Sequence, residues 1–398
     1  MIPRIDSQIG IFVYSTKFPG CGGKIKQKPE DFHVYEVISK KSESQIKSDS
    51  GYAIFKLKKQ GIDTNHALSS IQRLTGLRLK ALGLKDANAV TEQYVTSLKS
   101  MNTTKKFESS KFTLTPIGYS KKPLSKKDMI GNKFKIKISN ANSSITDFYE
   151  HDKILNFYGY QRFGSARPVT HHIGKAIIQN DWSSAVDYIL SYESEYDSKE
   201  NSEIRNKLKD TKNLANVENL VPPQMDLERL VISEMIKHND PHVAIRALPV
   251  NMKRFYVQAY QSYLFNQTLS VAFENGEDLF GIKENDVCYD SNGILGKCNK
   301  GLVQKLAIPQ VGYSYYKKTR FDYHIQKILN DEEITPKNFY IKELQEASNE
   351  GGFRNSSIVC DDYIANDDTI EFTLSRGSFA TIVLREIIKP KEPLLDGF

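Results

Sequence analysis

The segment ALGLKDANAVTEQYVT, residues 81–96, is the stretch around which this chain is organised. Its pattern predicts the end of a short apolar strand, a turn that carries Lys85 and Asp86, and a second strand rich in β-forming side chains. A carboxylate on a tight connection between two buried strands is held on a rigid support while its head group faces a cleft. Asp86 is therefore a candidate nucleophile, and the competing interpretation is that it caps its own turn.

Within that segment, the run GLKDANAVTEQ at residues 83–93 resembles the signature of the TruD family of tRNA pseudouridine synthases. In that family the catalytic aspartate occupies the position of Asp86. Four more stretches resemble the family in the same order: KQKPEDFHVYE at residues 26–36, NFYGYQRFG at 156–164, AYQSYLFN at 259–266 and RGSFATIVLRE at 376–386. Five ordered matches are hard to obtain by chance. The tyrosine in the Asn-x-Tyr-Gly turn is typical of archaeal and eukaryotic members.

The resemblance implies a set of substrate-binding residues. Lys26 takes the position of a lysine near the catalytic aspartate, and Phe32 and Phe379 match positions that contact the RNA substrate. Asn156 takes the place of a substrate-binding asparagine, and Tyr158 that of an aromatic residue that stacks on the reacting base. Bacterial members have phenylalanine at the last position, so the resemblance leaves open whether the phenol hydroxyl takes part in proton transfer.

Each of these positions also has a structural interpretation. Lys26 fits an exposed strand lysine. The alternation of residues 32–38 predicts a strand with one buried face, on which Phe32 would be ordinary core, and Phe379 fits the apolar side of a C-terminal helix. The aromatic turn around Tyr158 is compatible with two roles. Its rings either close the end of a hydrophobic core or form a pocket that stacks an unpaired base.

The positive charge of the chain is clustered. The net charge of the 398 residues is +7, and residues 101–140 contain ten lysines against only Glu108 and Asp128. Lysine pairs beside Ser, Pro and Gly suit a solvated surface that neutralises RNA phosphates, with a merely solubilising surface as the alternative. On the strand predicted for residues 131–138, the alternating lysines either border an RNA groove or face solvent; they are Lys133, Lys135 and Lys137.

Composition and spacing argue against several classes of protein. The cysteines show neither C-x-x-C spacing nor a nearby histidine pair, so we expect no structural zinc and no disulfide framework; they are Cys21, Cys288, Cys298 and Cys360. No apolar run of 18 residues occurs, and no intact nucleotide-cofactor motif is present. We therefore expect a cytoplasmic protein that has no membrane segment, no metal and no cofactor.

The fold implied by the resemblance is α+β. It comprises a pseudouridine synthase catalytic domain, with a mixed and mainly antiparallel sheet and flanking helices, and an inserted α/β TRUD domain. The flanking matches predict a discontinuous catalytic domain at residues 1–181 and 353–398, with the insertion at residues 182–352. A chain of this length has room for two or three domains.

The function implied is a tRNA pseudouridine synthase that isomerises uridine, at position 13 of tRNA in the family, with an aspartate nucleophile. The partner is tRNA; the sequence leaves the oligomeric state open, with a monomer favoured. One alternative is a non-catalytic RNA-binding protein, which would explain the lysines and aromatic residues equally well. Another is a glycosidase-type hydrolase using Asp86 and Glu92, which requires two carboxylates about 5 to 9.5 Å apart.

Overall fold

In the computed structural model, the described part of the chain comprises residues 1–46, 50–85, 87–100, 105–210, 214–299 and 301–398. Asp86 lies outside the described residues. The chain forms two compact units. We call Thr16–Ile154, Ile358–Pro390 and Leu395–Phe398 the sheet unit, and Met1–Ser15, Leu155–Ser357 and Lys391–Leu394 the helical unit. The predicted domains 1–181 with 353–398, and 182–352, stay a prediction.

The helices of the described residues are, in chain order, α1 (Arg4–Gln8), α2 (Lys40–Gln45), α3 (Thr64–Thr75), α4 (Thr170–Ile178), α5 (Trp182–Ser191), α6 (Lys199–Leu208), α7 (Leu214–Val217), α8 (Asp226–His238), α9 (Pro241–Ala247), α10 (Val250–Glu274), α11 (Asp322–Asp331) and α12 (Ala380–Ile388). Short 3-10 helices lie at Pro29–Asp31, Tyr160–Arg162, Glu218–Leu220, Pro336–Phe339 and Lys342–Ala347.

The strands of the described residues are β1 (Phe32–Ile38), β2 (Tyr52–Lys59), β3 (Leu79–Ala81), β4 (Val90–Ser100), β5 (Phe107–Glu108), β6 (Phe112–Ser120), β7 (Met129–Lys137), β8 (Ile154–Leu155), β9 (Val287–Tyr289), β10 (Leu295–Lys297), β11 (Lys305–Gln310), β12 (Gly352–Asn355), β13 (Ser357–Ile358), β14 (Asp361–Asn366) and β15 (Thr369–Ser375).

The sheet unit is built on a nine-stranded mixed sheet in the order β14-β15-β7-β1-β4-β2-β6-β5, with β3 also paired to β4. The pair β1–β4 is parallel, and the remaining pairs of this sheet are antiparallel. This arrangement confirms the predicted α+β class with a mixed, mainly antiparallel sheet. Of the two strands that border this turn, β4 lies inside the sheet and β3 is paired with β4.

Local sequence explains why the elements around the turn form. In β1 the side chains alternate between buried and partly exposed, as the predicted strand requires. The Asp63 side chain caps α3 by accepting hydrogen bonds from two backbone amides, and Gly76 ends that helix with a left-handed backbone, φ 74°. Helix α3 packs Ala67 and Ile71 onto the sheet against Phe55 and Val95. The helix therefore fixes one face of β2 and β4.

The helical unit is organised by α10, a 25-residue helix that is buried along most of its length. Helix α4 packs closely on it at Gly174, where an added Cβ would lie 2.0 Å from the carbonyl oxygen of Tyr256. The unit also holds a four-stranded sheet in the order β10-β9-β11-β12. A disulfide joins Cys288 to Cys298 across the β9–β10 hairpin, with the α-carbons 5.3 Å apart, which the cysteine spacing did not predict.

Candidate active site

The connection from β3 to β4 carries the predicted nucleophile, and its flanks are held by backbone hydrogen bonds. The amide of Lys85 donates to Oγ1 of Thr64 over 2.9 Å. The carbonyl of Ala87 accepts from the amide of Gly61 at 3.1 Å. Since these two residues are covalently joined to Asp86, the chain is tied down immediately before and immediately after it.

A buried glutamine holds the start of the same connection. The side chain of Gln93 on β4 donates from Nε2 to the carbonyl of Gly83 over 2.9 Å. Its Oε1 accepts from the hydroxyl of Thr64, also at 2.9 Å. Gln93 and Thr64 are both buried. An amide with both ends engaged fixes the turn to the sheet and to the start of α3.

Lys59 lies beneath the connection. It is the last residue of β2 and is only 1% exposed. Its ammonium donates to the carbonyl of Ile62 at 2.9 Å and to the carbonyl of Lys85 at 3.0 Å. The second acceptor belongs to the peptide bond between residues 85 and 86. A buried positive charge is therefore bonded to the backbone that carries the predicted nucleophile.

The side chain of Lys85 turns inward. Its ammonium lies 3.1 Å from Oε1 of Glu36, and the two side chains are 6% and 0% exposed. The other carboxylate oxygen accepts from the amide of Tyr94 at 2.9 Å. Burial raises the pKa of Glu36 above its ordinary 4.5, while the Lys85 ammonium and the Tyr94 amide act in the opposite direction. The lysine of the signature is thus a structural anchor of the connection.

Of the other predicted residues of the sheet unit, Phe32 begins β1, Phe379 immediately precedes α12, and Lys26 lies in the segment before β1 and not on a strand. The Lys26 ammonium lies 4.9 Å from the ring centroid of Phe32, and the Lys26 backbone has a positive φ of 53°. Phe32 is buried against Phe134, with ring centroids 6.2 Å apart. Phe379 is half-buried at the N-terminal cap of α12. The structure brings Lys26 and Phe32 into contact.

In the helical unit, a guanidinium fixes Asn156. Arg354 on β12 donates from Nε to the carbonyl of Asn156 at 3.1 Å and from Nη2 to Oδ1 of the same residue at 2.7 Å. The asparagine amide in turn donates to the carbonyl of Asn355 at 3.0 Å. Asn156 is buried, and a bidentate guanidinium sets both its backbone and its side chain.

The Arg354 guanidinium also lies over the ring of Tyr158. Arg354 therefore contacts both Asn156 and Tyr158. The Arg354 carbon Cζ lies 4.0 Å from the Tyr158 ring centroid, and that of Arg162 lies 5.4 Å from it. Burial lowers the pKa of both guanidinium groups below its ordinary value. The phenol oxygen accepts from Nε2 of Gln310 at 2.6 Å. Arg354 thus contacts the face of the Tyr158 ring, and Gln310 is hydrogen-bonded to its hydroxyl.

Sequence reasoning missed the residues that support the predicted ones, above all Lys59, Gln93 and Arg354. A signal for Lys59 was present. The pattern of β2 places Phe55, Leu57 and Lys59 on one buried face. A lysine that follows two core residues at period two is a buried lysine, and a buried lysine has to have partners.

The lysines of β7 are partly exposed and ion-paired. Lys133 and Lys135 lie 3.0 and 3.1 Å from the carboxylate of Glu371, and Lys137 lies 3.0 Å from that of Asp368. Each predicted lysine of this row therefore has an acidic neighbour. Whether the row borders an RNA groove stays a prediction.

Within the described ranges, no three His, Cys, Asp or Glu side chains lie close enough together to hold a metal ion. In the same part of the chain, every helix is too short or too polar to cross a membrane.

Comparison with known proteins gives one consistent result. The profile of the family described as tRNA pseudouridine synthase D (TruD) matches residues 8–387. A "Probable tRNA pseudouridine synthase D" from Methanococcoides burtonii is 29% identical, with 99% of each chain covered. One of the same description from Pyrobaculum islandicum is 30% identical, with 100% of this chain and 99% of that one covered. The crystal structure of the TruD protein from Methanosarcina mazei superposes with a TM-score of 0.80 at 27% identity, covering 99% of each chain.

Proposed function

The chain belongs to the tRNA pseudouridine synthase D (TruD) family, and we propose that it converts a uridine of tRNA into pseudouridine with Asp86 as the catalytic carboxylate. The observation that carries the proposal is the connection between β3 and β4. It bears the family signature, and its flanking residues Lys85 and Ala87 are both bonded to the segment that leads into α3. A catalytic group needs such a support, because errors of about 1 Å in its position cost on the order of a hundredfold in rate.

The reaction is an isomerisation. The bond from N1 of uracil to C1′ of the ribose breaks, the base turns, and a bond from C5 to C1′ forms. The proton displaced from C5 leaves to solvent and N1 gains one, so nothing is oxidised and no co-reactant is consumed. Asp86 acts on the sugar or the base, and a neighbouring cation favours its ionised form.

We assign the remaining predicted residues to binding. Lys26 supplies positive charge near the carboxylate. Tyr158 stacks on a uridine that has been flipped out of its helix, and its ring is supported by the Arg354 guanidinium at 4.0 Å. Asn156 hydrogen-bonds the nucleoside, and Phe32 and Phe379 hold it in register. The proposed partner is tRNA, the proposed target is uridine 13, and the proposed location is the cytoplasm, with the protein acting as a monomer.

The test is Asp86→Asn, which keeps the size of the side chain and removes its charge. We expect pseudouridine formation to fall by about a thousandfold or more, with tRNA affinity within about twofold of wild type. Release of tritium from uridine labelled at C5 measures the reaction, since that proton leaves when the new bond forms. Asp152→Asn, an exposed aspartate of the same unit, is the matched control.

Three results would contradict the proposal. Substantial turnover by Asp86→Asn removes that residue from the chemistry. Binding of tRNA by the wild type without tritium release supports the non-catalytic RNA-binding alternative. Release of free uracil supports the hydrolase alternative. A transcript with cytidine at position 13 tests the position separately, because activity retained on it assigns the reaction to another uridine.

A further inference from the structure

We propose that Lys59 is a positioning residue of this reaction: its buried ammonium fixes the peptide bond between Lys85 and Asp86 and adds a positive charge at that end of the connection. The inference rests on the proposed function, because Lys59 acts through Asp86 and not on the substrate.

The first argument is geometric. Residues 59–64 contact both flanks of position 86. The Lys59 ammonium donates to the Lys85 carbonyl, and the Thr64 hydroxyl accepts from the Lys85 amide. On the other flank, the Gly61 amide donates to the Ala87 carbonyl. These bonds measure 3.0, 2.9 and 3.1 Å. Both peptide groups of Lys85 are thereby held by one short segment, and the direction in which the chain enters residue 86 is set by it.

The second argument is energetic. Lys59 is 1% exposed, and removing an ammonium from water costs several kcal/mol. The bonds to the carbonyls of Ile62 and Lys85 offset part of this cost and hold the ammonium against the backbone of the connection. A structural tether alone is made equally well by a neutral donor such as Gln93, which holds Gly83 in the same connection. A buried ammonium at this place adds a field that Gln93 does not.

The third argument concerns the charged neighbours of Lys59. At the start of α3 the ionisable residues are the N-cap Asp63 and His66, which are hydrogen-bonded to each other. The strands paired with Lys59 present the uncharged Thr91 and Phe112 at its level. The connection itself presents Lys85.

Of these neighbours, Lys85 is ion-paired with Glu36 of β1. The charge of Lys85 is therefore balanced by a carboxylate of β1. The Lys59 ammonium bonds the Lys85 carbonyl, which is part of the peptide bond to residue 86. The positive charge that Lys59 brings to this end of the connection favours an ionised carboxylate on the next residue.

The experiment compares Lys59→Met with Lys58→Met in the full-length protein. Lys58 is the adjacent exposed lysine on the opposite face of β2, so the two variants have the same net charge. For Lys59→Met we expect single-turnover pseudouridine formation to fall by about a hundredfold with tRNA affinity unchanged. We also expect the acidic limb of the pH–rate profile to move up by about one pH unit, because the carboxylate loses a stabilising cation. Lys58→Met should match wild type in both.

A second variant separates the tether from the charge. Lys59→Gln retains N–H donors without the charge, and it should also move the acidic limb upward while losing less rate than Lys59→Met. A wild-type rate in Lys59→Met, or a lower rate with an unmoved acidic limb in both variants, overturns the proposal. Collapse of the melting temperature in both variants assigns Lys59 to stability alone and also overturns it. Asp86→Asn, inactive in every case if the proposed function holds, distinguishes failure of this inference from failure of that function.

Discussion

Two groups of lysines in the sheet unit show how differently one residue type is used. Around the β3–β4 connection, the side chains of Lys59 and Lys85 are buried and bonded to fixed partners. On β7, Lys133 and Lys135 are 42% and 50% exposed and share the Glu371 carboxylate. Water and salt screen the charges of the exposed β7 lysines, whereas they screen those of the buried lysines at the connection much less. Burial, not residue type, decides whether a lysine is bonded to the backbone of the fold or stays on a partly exposed surface.

The carboxylates in the two groups respond to pH in opposite directions. Burial raises the pKa of Glu36, so its contribution to stability is present below its unfolded pKa of about 4.5 and is lost as the pH rises through the folded value. Lys133 and Lys135 lower the pKa of Glu371, so its contribution is present above about 4.5 and is lost as the pH falls through the folded value.

The largest effect on the comparison of buried with exposed lysines is expected for Lys85→Met. It leaves the Glu36 carboxylate buried without its ammonium, and we expect the free energy of unfolding at about pH 7 to fall by about 3–5 kcal/mol. The loss of Lys85 raises the folded pKa of Glu36 further, so the gap from wild type should widen as the pH rises from about 4.5 to about 7. Denaturant melts at both pH values measure it.

The control for that variant is Lys135→Met, which removes one exposed ammonium from Glu371. It should cost less than about 1 kcal/mol, since exposed ion pairs contribute little. Equal losses in the two variants, or a Lys85→Met gap that does not change with pH, would mean that burial does not separate the two groups.

The comparison extends to the helical unit through Arg354→Lys. Lysine keeps the charge but cannot donate two parallel bonds to Asn156 or lie flat on Tyr158. We expect kcat for pseudouridine formation to fall by about ten- to a hundredfold with a smaller change in KM, because the substrate-binding residues lose their alignment. Steady-state kinetics on a tRNA transcript measure it.

Arg162→Lys is the matched control for this variant, since Arg162 lies farther from the same ring, 5.4 Å against 4.0 Å. A kcat for Arg354→Lys at or above that of Arg162→Lys would show that the shape of the buried cation does not matter at Tyr158.

The smallest effect is expected at the exposed pair Lys121 and Lys122. Lys121→Gln/Lys122→Gln should weaken tRNA binding severalfold and reduce the slope of log affinity against log salt by about one to two, with the rate at saturating tRNA unchanged. Filter binding at several salt concentrations measures it. The exposed pair Lys40 and Lys41 on α2, substituted in the same way, controls for net charge. An equal loss in that control would mean that binding does not depend on the lysine cluster.

Much of the fold could be predicted from the sequence, because its signals are local. The alternation of residues 32–38 predicted β1. The mixed, mainly antiparallel character of the sheet came from the family resemblance. The strand order was not predicted, because the pairing of β1 with both β4 and β7 joins residues far apart in the chain. The Cys288–Cys298 disulfide was missed although the sequence separation of its cysteines is only 10, because its closure depends on the β9–β10 register.

The candidate site was predictable to a lesser extent. The signature identified Asp86, which lies outside the described residues, and its neighbour Lys85. The signature could not show that Lys85 faces Glu36 or that Lys59 bonds its carbonyl, because these contacts join the connection to β1 and to β2. Motifs mark residues that meet the substrate. The side chains that hold such residues in place are scattered along the chain and become visible only when the strands are paired.

The backbone of Lys26 has one more consequence. A lysine at φ 53° costs roughly 1–2 kcal/mol relative to glycine, which adopts this region without strain. A library selected for heat resistance alone would therefore drift toward glycine at position 26, whereas one selected for modified RNA would keep the lysine. Divergence of the two populations at this codon would reveal how much robustness the protein gives up to keep an ammonium there.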